Sequence, residues 1–233
     1  MGADEALVAQ VRSALAAAGE PGRAAGQQAY MRSAMPFHGI TAPELRGLLR
    51  PLLRAWAPAN RRTWEATVRE LWDGATHREE RYAALTLAQH RSARGWQDPD
   101  VLPLHRHLAV TGAWWDLVDT VATRLVGPVL LTYRDAVTPV MDDWATGEDL
   151  WLRRVAILSQ LKHREATDTA LLERCVAANL QDSPFGGEFF VRKALGWALR
   201  EHARTDPAWV LAVLARHGDG LSGLTRREAA KHL

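Results

Sequence analysis

A single cysteine, Cys175, supplies all the thiol of this 233-residue chain, so no internal disulfide can form and a reducing compartment is expected. It sits in Leu171-Leu172-Glu173-Arg174-Cys175-Val176, a setting for a small buried apolar side chain rather than a nucleophile. No run of about 18 apolar residues is present, which excludes an ordinary membrane-spanning helix. The start, Met1-Gly2-Ala3-Asp4-Glu5, is acidic and unlike a secretory signal. Alternating Val/Ile patterns are missing, which argues against strands. His-x-x-x-His and Cys-x-x-Cys spacings are missing too, although His105-Arg106-His107 stands out, so no metal site is expected. Neither Gly-x-x-x-x-Gly-Lys nor Gly-x-Gly-x-x-Gly occurs, and nucleotide cradling is unsupported. Phenylalanine and tyrosine are scarce, four and three, against ten tryptophans. A chain with that balance places indoles in its core and leaves a few as contact surface.

What is present is helical. Apolar residues recur at three- and four-residue spacing among abundant Ala, Leu and Arg, and 47% of the chain is hydrophobic against 24% charged. From about residue 60 the predicted helices pair as hairpins with a period of roughly 33–38 residues, which suits an α-solenoid of HEAT type. The expected fold is therefore all-α. It is read as one domain over 1–233, with an N-terminal helical cap at 1–58 and hairpin repeats at 59–233. Joints are expected at Pro58-Ala59-Asn60, Gly127-Pro128, Thr146-Gly147, Asp182-Ser183-Pro184 and Thr205-Asp206-Pro207. The second helices of the pairs, near 77–93, 113–125, 148–163 and 186–204, would bring their outward faces into a concave groove.

Three of those helices carry unusual residues. In Trp114-Trp115-Asp116-Leu117-Val118-Asp119, a wheel at about 100° per residue puts Trp114, Leu117, Val118, Val121 and Leu125 on an apolar stripe. Trp115 and Asp119 share a different side. They form either a stacking indole beside a carboxylate suited to a cation, or a surface Asp with a Trp packed on the next hairpin. At 148–163, Arg153 falls on a polar side near Gln160, whereas Arg154 lies among Trp151, Ile157, Leu158 and Leu161. An arginine in that stripe needs a carboxylate or a phosphate, so it is an interhelical ion pair or a phosphate clamp. At 186–204, Lys193, Trp197, Arg200 and Arg204 fall within about a 60° wedge opposite the buried face. This is the pattern of a surface that tracks phosphates, or else a solvated face paired with Glu188 or Glu201. Glu79-Glu80 and Asp142-Asp143 read as solvated helix charges, and Arg61-Arg62 and Arg226-Arg227 as surface pairs. The net charge of +2 does not by itself argue for nucleic acid.

These stretches, with Trp151-Leu152-Arg153-Arg154-Val155-Ala156-Ile157-Leu158, Phe189-Phe190-Val191-Arg192-Lys193-Ala194-Leu195-Gly196-Trp197-Ala198-Leu199-Arg200-Glu201 and Arg227-Glu228-Ala229-Ala230-Lys231-His232, resemble the AlkD-type DNA alkylation repair glycosylases. Tyr30-Met31, Pro36-Phe37, Gly39-Ile40 and Arg69-Glu70-Leu71-Trp72 extend the resemblance, in order, over nearly the whole chain. The resemblance implies a HEAT-like solenoid that excises positively charged N3- and N7-alkylpurines from double-stranded DNA, with no metal and no cofactor. It implies that Asp119 is the catalytic carboxylate and that Trp115 and Trp197 flank the deoxyribose of the lesion. Arg154 would contact the backbone beside it, Lys162, Lys193 and Arg200 would belong to the basic groove, and Tyr30 would be an N-terminal contact. At Thr41 the chain departs from the pattern, which admits a longer Gln. A monomer in a prokaryotic cytoplasm, associated with the nucleoid, is expected. Two other classes remain open: a non-catalytic HEAT-like protein that binds damaged or branched DNA, and a protein–protein scaffold.

Overall fold

A computed structural model describes residues 2–233, and all regular structure among them is helical. The chain divides into two compact units, residues 1–97 and 98–233. The first unit extends past the hairpin at 61–88.

The first unit contains α1 (Glu5–Ala17), α2 (Pro21–Met31), α3 (Ala42–Arg54), α4 (Arg61–Asp73) and α5 (Arg78–Ala88), followed by a 3-10 segment at Arg91–Trp96. Side-chain oxygens mark the helix starts. Asp4 caps α1 through the Leu7 amide, and Asn60 caps α4 through the Thr63 amide. Thr41 and Glu44 form a reciprocal capping box on α3, which gives the departure at Thr41 a local structural role. Helices α4 and α5, joined by a short turn, pack side by side, and α1 lies against α3, α4 and α5. Trp64 and Trp72 are fully buried at their centre, and the Trp64 indole N–H donates to the Leu87 carbonyl at 3.1 Å, so burial leaves no donor unmet.

Glu79 and Glu80 are not solvated: both are buried. Glu79 accepts from the amides of His38 (2.9 Å), Gly39 (2.9 Å) and Ile40 (3.1 Å), and so pins the loop between α2 and α3. Glu80 accepts from Arg12 Nε at 3.1 Å and from the Thr76 hydroxyl at 2.8 Å. Helix periodicity placed these carboxylates on a polar side. The loop and α1 supply the donors that make their burial tolerable.

The second unit contains α6 (Leu102–Gly112), α7 (Trp115–Thr120), α8 (Gly127–Thr132), α9 (Arg134–Thr146), α10 (Leu150–Leu158), α11 (Thr169–Ala177), α12 (Phe189–His202), α13 (Pro207–His217) and α14 (Gly223–Ala229). A π-helical turn, Val121–Val126, joins α7 to α8 without a break. The expected joint at Gly127-Pro128 therefore lies inside a helical run, and the chain turns at Tyr133 instead. Gly127 is required by close packing: a Cβ there would lie 2.6 Å from the Ser159 carbonyl oxygen. Helix α10 is the hub, packed against α6, α7, α9, α11 and α12, and Val155, Ala156, Ile157 and Leu158 are all buried.

Arg153 also differs from its polar-side expectation, being only 4% exposed. Its guanidinium donates to the carbonyls of Thr146 (2.7 Å), Gly147 (2.6 Å) and Ala178 (3.1 Å) and to the Asn179 side chain (3.1 Å). It thereby satisfies carbonyls at the C-terminal ends of α9 and α11, where a cation is favoured. No helix among the described residues is long and apolar enough to cross a membrane.

Candidate active site

Helices α7, α10 and α12 enclose a cleft of about 340 Å³ on the second unit, lined by Trp115, Asp119, Arg154, Phe189, Phe190, Lys193, Trp197 and Arg200. The three helices singled out by their odd residues thus contribute to one site. Trp115 and Asp119 are one turn apart on α7, so both face the cleft while Leu117 and Val118 are buried behind them. The Thr123 hydroxyl, in the π-helical turn, donates to the Asp119 carbonyl at 2.7 Å. Trp114 does not join the apolar stripe. Its backbone is extended at the N-cap of α7, and its half-buried indole packs on Phe190 (5.3 Å) and Trp151 (6.3 Å) instead.

Asp119 and Arg154 meet as a fork. Arg154 Nε donates to Oδ1 at 2.7 Å and the second terminal nitrogen to Oδ2 at 2.9 Å, while the remaining nitrogen donates to the Phe190 carbonyl at 2.6 Å. The arginine side chain is 4% exposed and the carboxylate 16%, so the pair is nearly dehydrated yet open on the carboxylate side. Burial pushes the Asp119 carboxyl above its ordinary value; the Arg154 hydrogen bonds and charge oppose this, and Asp116 adds slightly to it. Arg154 is the interhelical ion pair of its two predicted alternatives, and it also lines the cleft.

The walls differ in character. One is aromatic: Phe190 contacts Trp151 at 5.0 Å, and Phe189, half exposed, lies edge-on to Phe190 at 5.4 Å. The other is the basic face of α12. Lys193 and Arg200 reach Glu228 of α14 at 2.8 and 2.9 Å, and Lys231 reaches it at 2.6 Å. Hydrogen bonds from Lys193 and Lys231 hold the Glu228 carboxyl down at about 2. Helix α14 comes close enough to do this because residue 196 is glycine: a Cβ there would lie 2.5 Å from Glu228 Cβ and 3.0 Å from the Thr225 carbonyl.

Other predicted residues fall elsewhere. Lys162 is exposed and outside the cleft. Arg204 leaves the stripe, approaching His232 Nε2 at 2.8 Å and lining a separate cavity of about 270 Å³. Tyr30 lies on the first unit, 79% exposed near the end of α2. Cys175 is buried with its thiol pushed up to about 12, chiefly by burial, and is unreactive as expected. Phe189, Phe190 and Glu228 escaped the sequence reading as site residues. The tandem phenylalanines were visible as a motif, but Glu228 lies 28 residues from Arg200 and no local spacing links them.

Short-motif spacing also missed a grouping in the first unit. Ligand atoms of His38, His77 and Glu80 lie within 4.8 Å of one another. The two imidazoles are stacked, 3.8 Å apart and 11° from parallel, so their in-plane lone pairs run in parallel sheets and do not converge on one point. The donors from Arg12 and Thr76 already occupy both Glu80 oxygens.

A dehydrated carboxylate that shares its cleft with two indoles and a basic wall is suited to a cationic group carried on a polyanion. The family model of DNA alkylation repair enzymes matches residues 11–233. The chain belongs to that family. A solved structure described as a predicted DNA alkylation repair enzyme from Enterococcus faecalis matches with a TM-score of 0.78 at 29% identity, over 92% of this chain and 96% of that one. No curated protein matches the chain. Membership gives this DNA alkylation repair family member a role in alkylation repair, with DNA as its substrate.

Proposed function

We propose that the chain is a DNA glycosylase that hydrolyses the N-glycosidic bond of positively charged N3- and N7-alkylpurines in double-stranded DNA. The observation that carries this reading is Asp119, held by Arg154 at the edge of water in a cleft that Trp115 and Trp197 share. An alkylated purine already bears a formal positive charge, so it leaves without protonation and the site needs no general acid. As the C1′–N bond lengthens, its electron pair passes to the purine and cancels that charge, and positive charge appears on the deoxyribose. Asp119 stabilises the cationic sugar and accepts a proton from the water that adds to C1′. The indole faces favour the same cation.

Arg154 cannot act as a base. In the free protein it occupies one lone pair on each Asp119 oxygen and fixes the carboxylate plane, leaving the other lone pairs for sugar and water. Arg154 has two N–H donors beyond those three bonds, and one turned to a backbone phosphate would align backbone and C1′ together. Lys193 and Arg200 supply phosphate contacts at reduced strength, because Glu228 shares their charge. Lys162 and Tyr30, both exposed, are assigned to peripheral backbone contacts.

The test is single-turnover release of 7-methylguanine from a methylated duplex, wild type beside Asp119→Asn. Release by the wild type and its loss in the variant is the expected result. Equal release by both removes Asp119 from the chemistry. Duplex binding by both with release by neither leaves a non-catalytic binder of damaged DNA.

A further inference from the structure

Behind the cleft, each of its three helices contributes one aromatic ring to a common contact. Each ring stands one residue or one helical turn before a cleft residue of its own helix: Trp114 before Trp115 on α7, Trp151 before Arg154 on α10, and Phe190 before Lys193 on α12. Every pair of these rings touches. The centroids of Trp151 and Phe190 are 5.0 Å apart, those of Trp114 and Phe190 5.3 Å, and those of Trp114 and Trp151 6.3 Å. All three contacts are tilted or edge-on, the arrangements in which aromatic pairs attract beyond their buried area.

Local restraints are weak where these rings sit. The Asp149 side chain caps α10 through the amides of Trp151 and Leu152. No side-chain hydrogen bond caps α7 at Trp114 or α12 at Glu188, and an uncapped first turn frays. Helix α7 runs only six residues before the π-helical turn changes its winding. Trp115 is the first of the six and Asp119 the fifth, so the carboxylate lies between an uncapped start and an irregular end. The rings also reach the Asp119–Arg154 fork. Phe190 accepts the third Arg154 hydrogen bond on its carbonyl, at 2.6 Å, and its ring centroid is 5.8 Å from the same guanidinium carbon. Where Phe190 stands therefore decides where Arg154 stands, and the two indoles packed on Phe190 set that position.

We infer that Trp114 and Trp151 are positioning residues, which act through Phe190 to hold Arg154 in register with Asp119. Neither indole lines the cleft, so each works through its neighbours and not on the substrate. The role rests on the glycosylase reading above, because only a carboxylate aimed at C1′ gains from being held so firmly. Rings that merely fill space would affect stability alone. A brace would also affect how tightly Asp119 holds its proton, since the Arg154 hydrogen bonds and charge favour the ionised carboxylate against burial. The other charged groups near Asp119 are Lys193 and Arg200 across the cleft on α12, and Asp116 on its own helix.

The test uses the full chain carrying Trp151→Leu, which keeps an apolar side chain but removes the ring contacts. The Asp119 titration is followed by carbon NMR of aspartate-labelled protein, with the signal assigned by its loss in Asp119→Asn. The midpoint should move to higher pH in Trp151→Leu and return toward wild type in Trp151→Phe. Single-turnover release of 7-methylguanine should fall roughly 10- to 100-fold in the leucine variant, with duplex affinity within a few-fold of wild type. The same readouts apply to Trp114→Leu on a different helix, so failure of one variant to fold leaves the other to decide. A control, Trp209→Leu, removes an indole that packs on His202 outside the cleft, and should leave the Asp119 midpoint unmoved. An unmoved midpoint in the brace variants, a shift to lower pH, or an equal shift in the control overturns the positioning role. If the wild type excises base and the brace variants match it in rate and titration, only this inference fails. If the midpoint shifts as expected in a protein that never excises base, the brace stands and the glycosylase reading falls.

Discussion

Glu79 and Asp119 are both withdrawn from water and hydrogen-bonded, and their surroundings differ. Glu79 in the first unit is inaccessible to water and receives three main-chain amides. Its charge is fully answered by the loop it holds, and it has nothing left to offer a ligand. Asp119 in the second unit receives one guanidinium and keeps an open flank in a cleft. Burial raises its carboxyl pKa even against that arginine. A carboxylate saturated by backbone donors organises structure. On the function proposed above, one left partly unanswered, in a dehydrated site shared with indoles, would meet a positive charge that arrives only with substrate.

The sharpest way to break this contrast is at Asp119. Asp119→Asn should lower the single-turnover rate of 7-methylguanine release by on the order of 10³-fold, in the range seen when a transition-state charge stabiliser is removed. Duplex affinity should stay within a few-fold of wild type. Glu79→Ala should do the reverse. It strands three amide donors and is expected to cost on the order of 3 kcal/mol of stability, read as a lowered urea midpoint, while the rate per folded molecule is kept. Loss of rate without loss of stability at Glu79 would erase the distinction.

Smaller effects sharpen it. Arg154→Gln should weaken both rate and duplex binding by roughly 10- to 100-fold. Arg154 favours the ionised form of Asp119, so removing it raises that pKa further. Activity, which needs the ionised carboxylate, should then fade at a higher pH on the acid side than in wild type. A pH–rate profile with an unmoved acid limb would detach the arginine from the carboxylate. The smallest change is expected at Glu228→Gln. The Glu228 carboxyl is held at about 2 against an ordinary 4.5, so the folded state binds its proton less tightly than the unfolded chain. Its stabilisation is complete above about pH 4.5 and disappears as pH falls toward 2. Urea denaturation at neutral pH should show a deficit in the variant that closes over that window; a deficit constant with pH would mean lost packing against Gly196.

The helices and the cleft residues other than Phe189 and Phe190 were legible in the sequence because each depends on spacing within one segment. Trp115 with Asp119, Arg154 among apolar neighbours, and Trp197 on a basic stripe were each conspicuous on their own helix. Their partners were not legible. Arg154 finds Asp119 35 residues away and Lys193 finds Glu228 across a helix contact that Gly196 permits, and no local periodicity encodes either. Glu79 and Arg153 were misplaced for the same reason: a wheel reports where a charge points, not which carbonyl or amide from another segment meets it there. Gly127-Pro128 looked like a stop because those residues usually end helices, whereas here the glycine serves a close approach and the π-helical turn carries the chain through.

That turn has a further meaning in the language of insertions and deletions. A π-helical turn is one residue longer than the α-turn it replaces, so Val121–Val126 shifts everything before it by one place, about 100°, relative to everything after. The faces of α7 and α8 are thus out of frame with each other, and the frame change begins two residues past Asp119. Removing one residue from Val121–Val126 would restore an uninterrupted α-helix and put α7 back in step with α8. In that corrected frame α7 and α8 could not both keep the faces they now bury. The irregularity works like a compensating frameshift, letting α7 show Asp119 to the cleft while α8 buries Val129 and Leu130.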